Sequence, residues 1–142
     1  MLRVTHLLAS KGKDLWSVDA EQPVLEAIQI MADRRVGALP VMRAGELVGV
    51  VSERDYARKV ILLGRSSAET PVWQIMSSPV VTVGPSETVR HCMEIMTERR
   101  IRHLPVVEDG ATVGMISIGD LVRAVIEEQR ETIEQLEKFI SG

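Results

Sequence analysis

Aromatic residues are scarce in this chain of 142 residues: two Trp, one Tyr and one Phe, 3% of the total. The apolar fraction of 45% is therefore almost wholly Val, Leu, Ile, Ala and Met, which is enough for a core and too much for a disordered chain. Cysteine is nearly missing too. The single Cys92 excludes an internal disulfide framework, in agreement with a reducing compartment, and its place between Val89 and Met96 on an apolar helical face makes it a core thiol rather than a nucleophile. No run of about 18 apolar residues occurs, which excludes a membrane-spanning helix. Met1–Ser10 is short and polar for a secretory signal, so the expected location is cytoplasmic, away from any membrane.

Excess charge of one sign is also lacking in the body of the chain. The net charge is −3, and the stretch 127–138, with five Glu against Arg130 and Lys138, carries all of it. A neutral body argues against a nucleic-acid coat while leaving room for one cationic pocket. Signatures of catalysis are absent as well. There is no Gly-x-x-x-x-Gly-Lys-Ser/Thr loop and no Gly-x-Ser-x-Gly elbow, and His6, His91 and His103 lack metal-ligand spacing. The expectation is a protein that is not an enzyme and uses no catalytic cofactor or metal.

What the chain does have is an internal repeat. At an offset of 65, residues 16–61 align with 81–126 without a gap. Ile30-Met31 falls on Ile95-Met96, Arg34-Arg35 on Arg99-Arg100, Leu39-Pro40-Val41 on Leu104-Pro105-Val106, Val48-Gly49 on Val113-Gly114, Ser52 on Ser117 and Asp55 on Asp120. Within each copy Val24, Ala27, Ile28 and Met31, or Val89, Cys92, Met93 and Met96, mark one face of an amphipathic helix. Two short apolar runs about Gly45 or Gly110 predict adjacent strands. A second helix follows with Tyr56, Ala57, Val60 and Ile61, or Leu121, Val122, Val125 and Ile126, expected inward, and Trp16–Val18 or Val80–Val83 can supply a leading strand. Each unit reads β-α-β-β-α, an α/β (α+β) fold. A lone unit this small is marginal, so two copies are expected to pack about a pseudo-twofold axis.

These residues resemble the cystathionine-β-synthase-type (CBS) domain pair, or Bateman module. The resemblance rests on Arg102-His103-Leu104-Pro105-Val106 and Gly114-Met115-Ile116-Ser117-Ile118-Gly119-Asp120, on their counterparts Ala38–Val41 and Gly49–Asp55, and on Ser52–Val60, which is similar to small stand-alone bacterial members. It implies CBS domains over 8–64 and 76–128, a linker over 65–75 and a helical extension over 129–142. It further implies a homodimer that signals to a regulated protein, and an adenosine-containing ligand (AMP, ADP, ATP or NAD(H), with S-adenosylmethionine also in the family's range) in the cleft between paired domains.

Ser52 and Ser117 stand at predicted strand-to-helix junctions, where unpaired N–H groups and the helix dipole favour a phosphate. Asp55 and Asp120, three residues on, are acceptors suited to the vicinal hydroxyls of a ribose, and in the resembled family these positions do those two jobs. The same Ser-x-x-Asp spacing also caps a helix, and both readings can hold together. Arg102 and His103 fall where similar proteins carry phosphate-contacting residues. Gly37 and Ala38 replace them in the first copy, with Arg54, Arg58 and Lys59 as substitutes or simply a solvated face. Val81, Thr82, Pro105 and Val106 are the expected adenine walls by resemblance, with Val18 and Val41 in the other unit. Arg34-Arg35 and Arg99-Arg100 complement helix C-termini. In the terminal stretch Ile126, Ile133 and Ile140 are seven apart, with Gln129 and Leu136 between, which reads as a seam for a partner subunit or the body of the protein, the alternative being a solvated, fraying tail. A structural dimer or adaptor with empty clefts, or a nucleotide-converting enzyme using Asp120 and His103, are the competing readings.

Overall fold

The computed structural model describes residues 1–12 and 14–141. The chain falls into two compact units, Asp14–Val81, and Met1–Lys13 together with Thr82–Gly142.

In the first unit, β1 (Val18–Asp19) runs parallel to β2 (Ala38–Arg43), which pairs antiparallel with β3 (Glu46–Ser52). Helix α2 (Val24–Arg34) precedes β2 and buries Val24, Ala27 and Met31, the apolar face its spacing predicts. Arg35 ends it in the left-handed region at φ 56°, its N–H donating to the Met31 carbonyl. The short α3 (Glu53–Tyr56) continues into a π-helical turn, Ala57–Ile61, in which the Leu62 N–H reaches back to the Ala57 carbonyl at 3.0 Å. The core is aliphatic: Val18, Val24, Met31, Leu39, Val41, Val51, Val60, Val72 and Ile75 are all buried, with Trp16 and Tyr56 at its margin.

The other unit repeats this plan. Helix α4 (Val89–Arg99) starts at Thr88, whose hydroxyl accepts from the His91 N–H at 3.1 Å, and ends at Arg100 with φ 56°. Strands β4 (His103–Glu108) and β5 (Ala111–Ser117) form its hairpin, and α5 (Ile118–Ser141) runs for 24 residues. Both hairpins turn through two residues of positive φ, Ala44-Gly45 and Asp109-Gly110, the conformation that suits a two-residue hairpin. Both carry a bulge after the first strand's core valine, Val41 or Val106.

Three expectations need correction. The leading strand of the second copy is a single bridge, Val83 to Val106, rather than a strand. Of the residues expected inward on the second helices, Val60 and Leu121 are buried, but Ala57, Ile61, Val122 and Ile126 are exposed. The exposed positions are the same in both units, Ala57 with Val122 and Ile61 with Ile126, so the buried face of the second helix is narrower than its apolar spacing suggests.

The third concerns a helix the repeat did not suggest, α1 (Val4–Lys11), which belongs to the second unit although it precedes the first in sequence. It has a counterpart in the 3₁₀ turn Val72–Gln74 of the first unit. The N–H groups of Val4 and Thr5 donate to Glu87 and Pro85, and those of Val72 and Trp73 to the equivalent Gln22 and Ala20. Val4 and Leu7 are buried as Val72 and Ile75 are. A Cβ on Gly114 would lie 2.5 Å from Leu8, and one on Gly49 2.5 Å from the Met76 sulfur, so each hairpin keeps a glycine where its docking segment crosses.

Candidate functional site

Each unit places its Ser-x-x-Asp at a strand-to-helix corner. At the end of β5, the Ser117 N–H donates to Asp120 Oδ2 at 2.8 Å and the Asp120 N–H donates to Ser117 Oγ at 3.2 Å. At the end of β3, the Ser52 N–H and hydroxyl both donate to Asp55 Oδ2 at 3.0 Å, and the Asp55 N–H returns a bond to Ser52 Oγ at 3.1 Å. Both motifs therefore cap their helices, as the structural reading of the spacing requires. Capping uses part of each carboxylate and leaves the rest to other partners.

Those partners differ. Asp120, only 7% exposed, takes Lys11 Nζ on Oδ2 at 2.8 Å and Arg123 on Oδ1 at 2.7 Å. Burial alone pushes its carboxyl up, but the Lys11 hydrogen bond, the Ser117 bonds and the Lys11 charge outweigh it and hold the group below its ordinary value, so it is ionised at neutral pH. Lys11 also donates to the Met115 carbonyl at 2.7 Å. Asp55 is half-buried and meets Lys59 of its own helix at 3.3 Å, while Lys59 donates to the Ile75 carbonyl at 2.9 Å.

The second unit carries most of the predicted residues. His103 lies directly across the hairpin from Ser117, and the Ile118 N–H donates to the Arg102 carbonyl at 2.9 Å, so Arg102 and His103 begin the strand beside the corner. Val83, next to Thr82, bonds to Pro105 and Val107 at 3.1 and 2.9 Å, which brings Thr82 alongside the buried Pro105 and Val106. Arg102 and Thr82 are exposed and His103 half-buried. Ser52, Arg54 and Asp55 form the corresponding corner of the first unit, with Arg54 exposed, Val18 and Val41 buried, and Val81 at that unit's end. Gly37 takes Arg102's backbone role there, accepting from the Glu53 N–H at 3.0 Å. Lys11 is the residue sequence reasoning missed. Its signal was the Val4, Leu7, Leu8 spacing of an amphipathic helix ending in lysine.

Cys92 is buried, and that burial, with the Glu87 charge next in weight, pushes its thiol up to about 11. Among the described residues no three His, Cys, Asp or Glu side chains come together as a metal ion would need. Arg34 stacks over the Trp16 ring at 5.0 Å and Arg34 and Arg99 close the last turns of α2 and α4, the helix-end role expected of them. Among the described residues no helix is long and apolar enough to cross a membrane.

The repeated hairpin with its Ser-x-x-Asp corner is the decisive feature, and the profile of the CBS domain matches residues 11–61 and 72–127. The chain belongs to the CBS-domain family. It carries two CBS domains in tandem, a Bateman module of α+β class with a long C-terminal helix. It is 42% identical over 149 residues to the mitochondrial CBS domain-containing protein CBSX3 of Arabidopsis thaliana, covering 98% of this chain and 72% of that one. Among solved structures, a signal-transduction protein with CBS domains from Burkholderia ambifaria is 45% identical, with a TM-score of 0.85 over 89% of this chain and 96% of its own. The CBS domain pair of protein MJ0100, solved with 5′-methylthioadenosine and S-adenosyl-L-methionine, is 25% identical, with a TM-score of 0.80 over 90% of this chain and 98% of that one. CBS pairs are generally regulatory modules, and that relative binds adenosine compounds.

Proposed function

We propose that this chain is a regulatory sensor that binds an adenosine-containing ligand (AMP, ADP, ATP or NAD(H)) and passes its occupancy through a homodimer to another protein, leaving the ligand chemically unchanged. The observation that carries this reading is Asp120, a buried ionised carboxylate at the start of a 24-residue helix with a serine hydroxyl beside it. An acceptor in that position suits the two hydroxyls of a ribose, and Ser117 with the helix N-terminus suits a phosphate. Arg102 and His103 add donors for phosphate oxygens, while Thr82, Pro105 and Val106, with Val81, supply the wall for a base. Ser52, Arg54 and Asp55 are the weaker corresponding set, because Gly37 and Ala38 stand where the second domain has Arg102 and His103. The cytoplasm is the compartment in which we expect the chain to meet such a ligand.

For a ribose to take both of its hydrogen bonds at Asp120, Lys11 or Arg123 has to yield its place on the carboxylate. Both cations are solvent-accessible side chains, so the exchange costs little. Isothermal titration with AMP, ADP, ATP, NAD(H) and S-adenosylmethionine, repeated on Asp120→Ala, tests the proposal. At least one compound binds, and the variant loses about ten-fold or more in affinity, the scale expected when charged hydrogen bonds are removed. Binding by none of them, or equal binding by the variant, overturns it. Chromatography of the same mixtures returns the ligand intact if the chain is a sensor.

A further inference from the structure

Beyond Val125, α5 buries nothing: every described residue from Ile126 to Ser141 is exposed. A solvated helical tail has no use for large apolar side chains, yet this one carries Ile126, Ile133, Leu136, Phe139 and Ile140, the last two 85% and 83% exposed. They are not scattered. With Ile126, Ile133 and Ile140 at the a positions of a heptad, Gln129 and Leu136 fall at d and Val125 and Phe139 at g, one continuous stripe. The other side of the helix is accounted for, since Ala124, Glu127, Glu128 and Glu131 line a shallow cleft with His6 and Ser10 of α1. The uncovered stripe points away from it.

Charge selects the occupant. The tail is anionic overall, which at first sight disfavours pairing with itself. However, Glu127, Glu128, Glu131, Glu134 and Lys138 all sit at b, c and f, away from the seam. At the e and g positions flanking it from Val125 to Ile140, only Arg130 and Glu137 are charged, both at e and of opposite sign. In antiparallel helices e faces e′, so Arg130 of each chain meets Glu137 of the other when Ile133 packs on Leu136. That register also sets Gln129 beside Ile140 and Phe139 over Thr132. A parallel pair brings e against g′ instead and leaves both charges without a counterpart.

We propose that the tail of α5 pairs antiparallel with α5 of a second copy of this chain, in the register that joins Ile133 to Leu136 and Arg130 to Glu137. The claim rests on the homodimer reading above and specifies its contact, and it stands whether or not a nucleotide is bound. Cross-linking tests it directly on the full chain. Gln129→Cys and Ile140→Cys lie at exposed positions, so both variants fold, and the native Cys92 is buried. A mixture of the two forms an inter-chain disulfide, while either alone forms little, because antiparallel pairing separates identical positions by about 16 Å along the helix. Cross-linking of each variant with itself indicates a parallel pair and overturns the proposal, as does no cross-linking at all. Sedimentation of Arg130→Glu shows association weakened about five-fold or more, restored when Glu137→Arg is added. A dimer indifferent to both changes is held by some other surface, which overturns the α5 contact while leaving the homodimer standing.

Discussion

At Asp55 the neighbouring cation is Lys59, one turn along the same helix and 3.3 Å away, whereas Asp120 takes, besides Arg123 of its own helix at 2.7 Å, Lys11, 109 residues distant in sequence and 2.8 Å away. The two corners otherwise share the backbone bonds of the serine cap and the hairpin register. A local cation comes with its helix and tells the carboxylate nothing about the rest of the chain. Lys11 is different, because it arrives only when α1 is docked, with Val4 and Leu7 buried and Leu8 lying over Gly114. Duplication supplied two equal frames. The second then joined its candidate ligand site to the docked helix α1, so that Asp120 has a structural partner that a ligand would compete with.

The frames themselves are where equality is easiest to break. Leu39 and Leu104 are repeat equivalents, each no more than 1% exposed in its own unit. Leu39→Ala and Leu104→Ala are each expected to cost about 2–5 kcal/mol, from lost transfer energy and an unfilled cavity. Urea denaturation measures both. Costs within about 1 kcal/mol of each other support two equivalent cores, and a larger gap means that the units relax differently around the hole.

A smaller contrast is expected at the corners. Asp120→Asn removes an ion that meets two cations and a backbone N–H while more than nine-tenths buried, so about 1–3 kcal/mol of stability goes with it. Asp55→Asn, with a half-exposed lysine as its cation, is expected to cost about 0.5–2 kcal/mol, the range of a lost helix cap. Asp120 also lends the fold a pH dependence. Asp120 holds its proton less tightly folded than unfolded, so the stability it lends is complete above the ordinary carboxylate value near about 4 and is lost as pH falls through its lower folded value. Thermal midpoints taken from neutral pH down into that acid range should fall more steeply for the parent chain than for Asp120→Asn. Parallel curves would show that the Lys11 and Ser117 bonds do not favour the charged form.

Much of this was readable in the sequence because the signals were local and doubled. Helices α2 and α4, both hairpins and both Ser-x-x-Asp corners follow from periodicity and turn residues within a few positions of each other, and the second copy confirmed the first. What escaped depended on contacts between distant segments. The docking of Val4–Leu8 repeats that of Val72–Met76, but at an offset of 68 rather than 65, so the gap-free alignment passed over it. The π-turn at Ala57–Ile61 left no mark in composition, and the exposure of Ile61 and of its equivalent Ile126 depends on how little of each helix the neighbouring elements cover. The candidate site divides the same way: Ser117, Asp120, Arg102 and His103 are adjacent along one hairpin, while Lys11 reaches Asp120 only through tertiary packing.

The smallest expected effect is the one that separates the corners most sharply. Lys11 is partly exposed, so its pair with Asp120 is worth about 0.2–1 kcal/mol, and a ligand that must displace it binds more weakly by that amount. Lys11→Met keeps the length of the side chain and removes the charge, so affinity for the adenosine ligand should rise by roughly two- to five-fold in titration. Amide exchange across Val4–Lys11 should quicken at the same time, because the helix loses the two bonds that Lys11 makes to Asp120 and the Met115 carbonyl. Lys59→Met removes an equivalent charge from Asp55, yet it leaves α1 exchange unchanged, because the bonds of Lys59 go to Asp55 and the Ile75 carbonyl. If affinity falls in Lys11→Met while α1 exchange still quickens, Lys11 contacts the ligand instead of competing with it. The distant cation would then be part of the binding site that the local one is not.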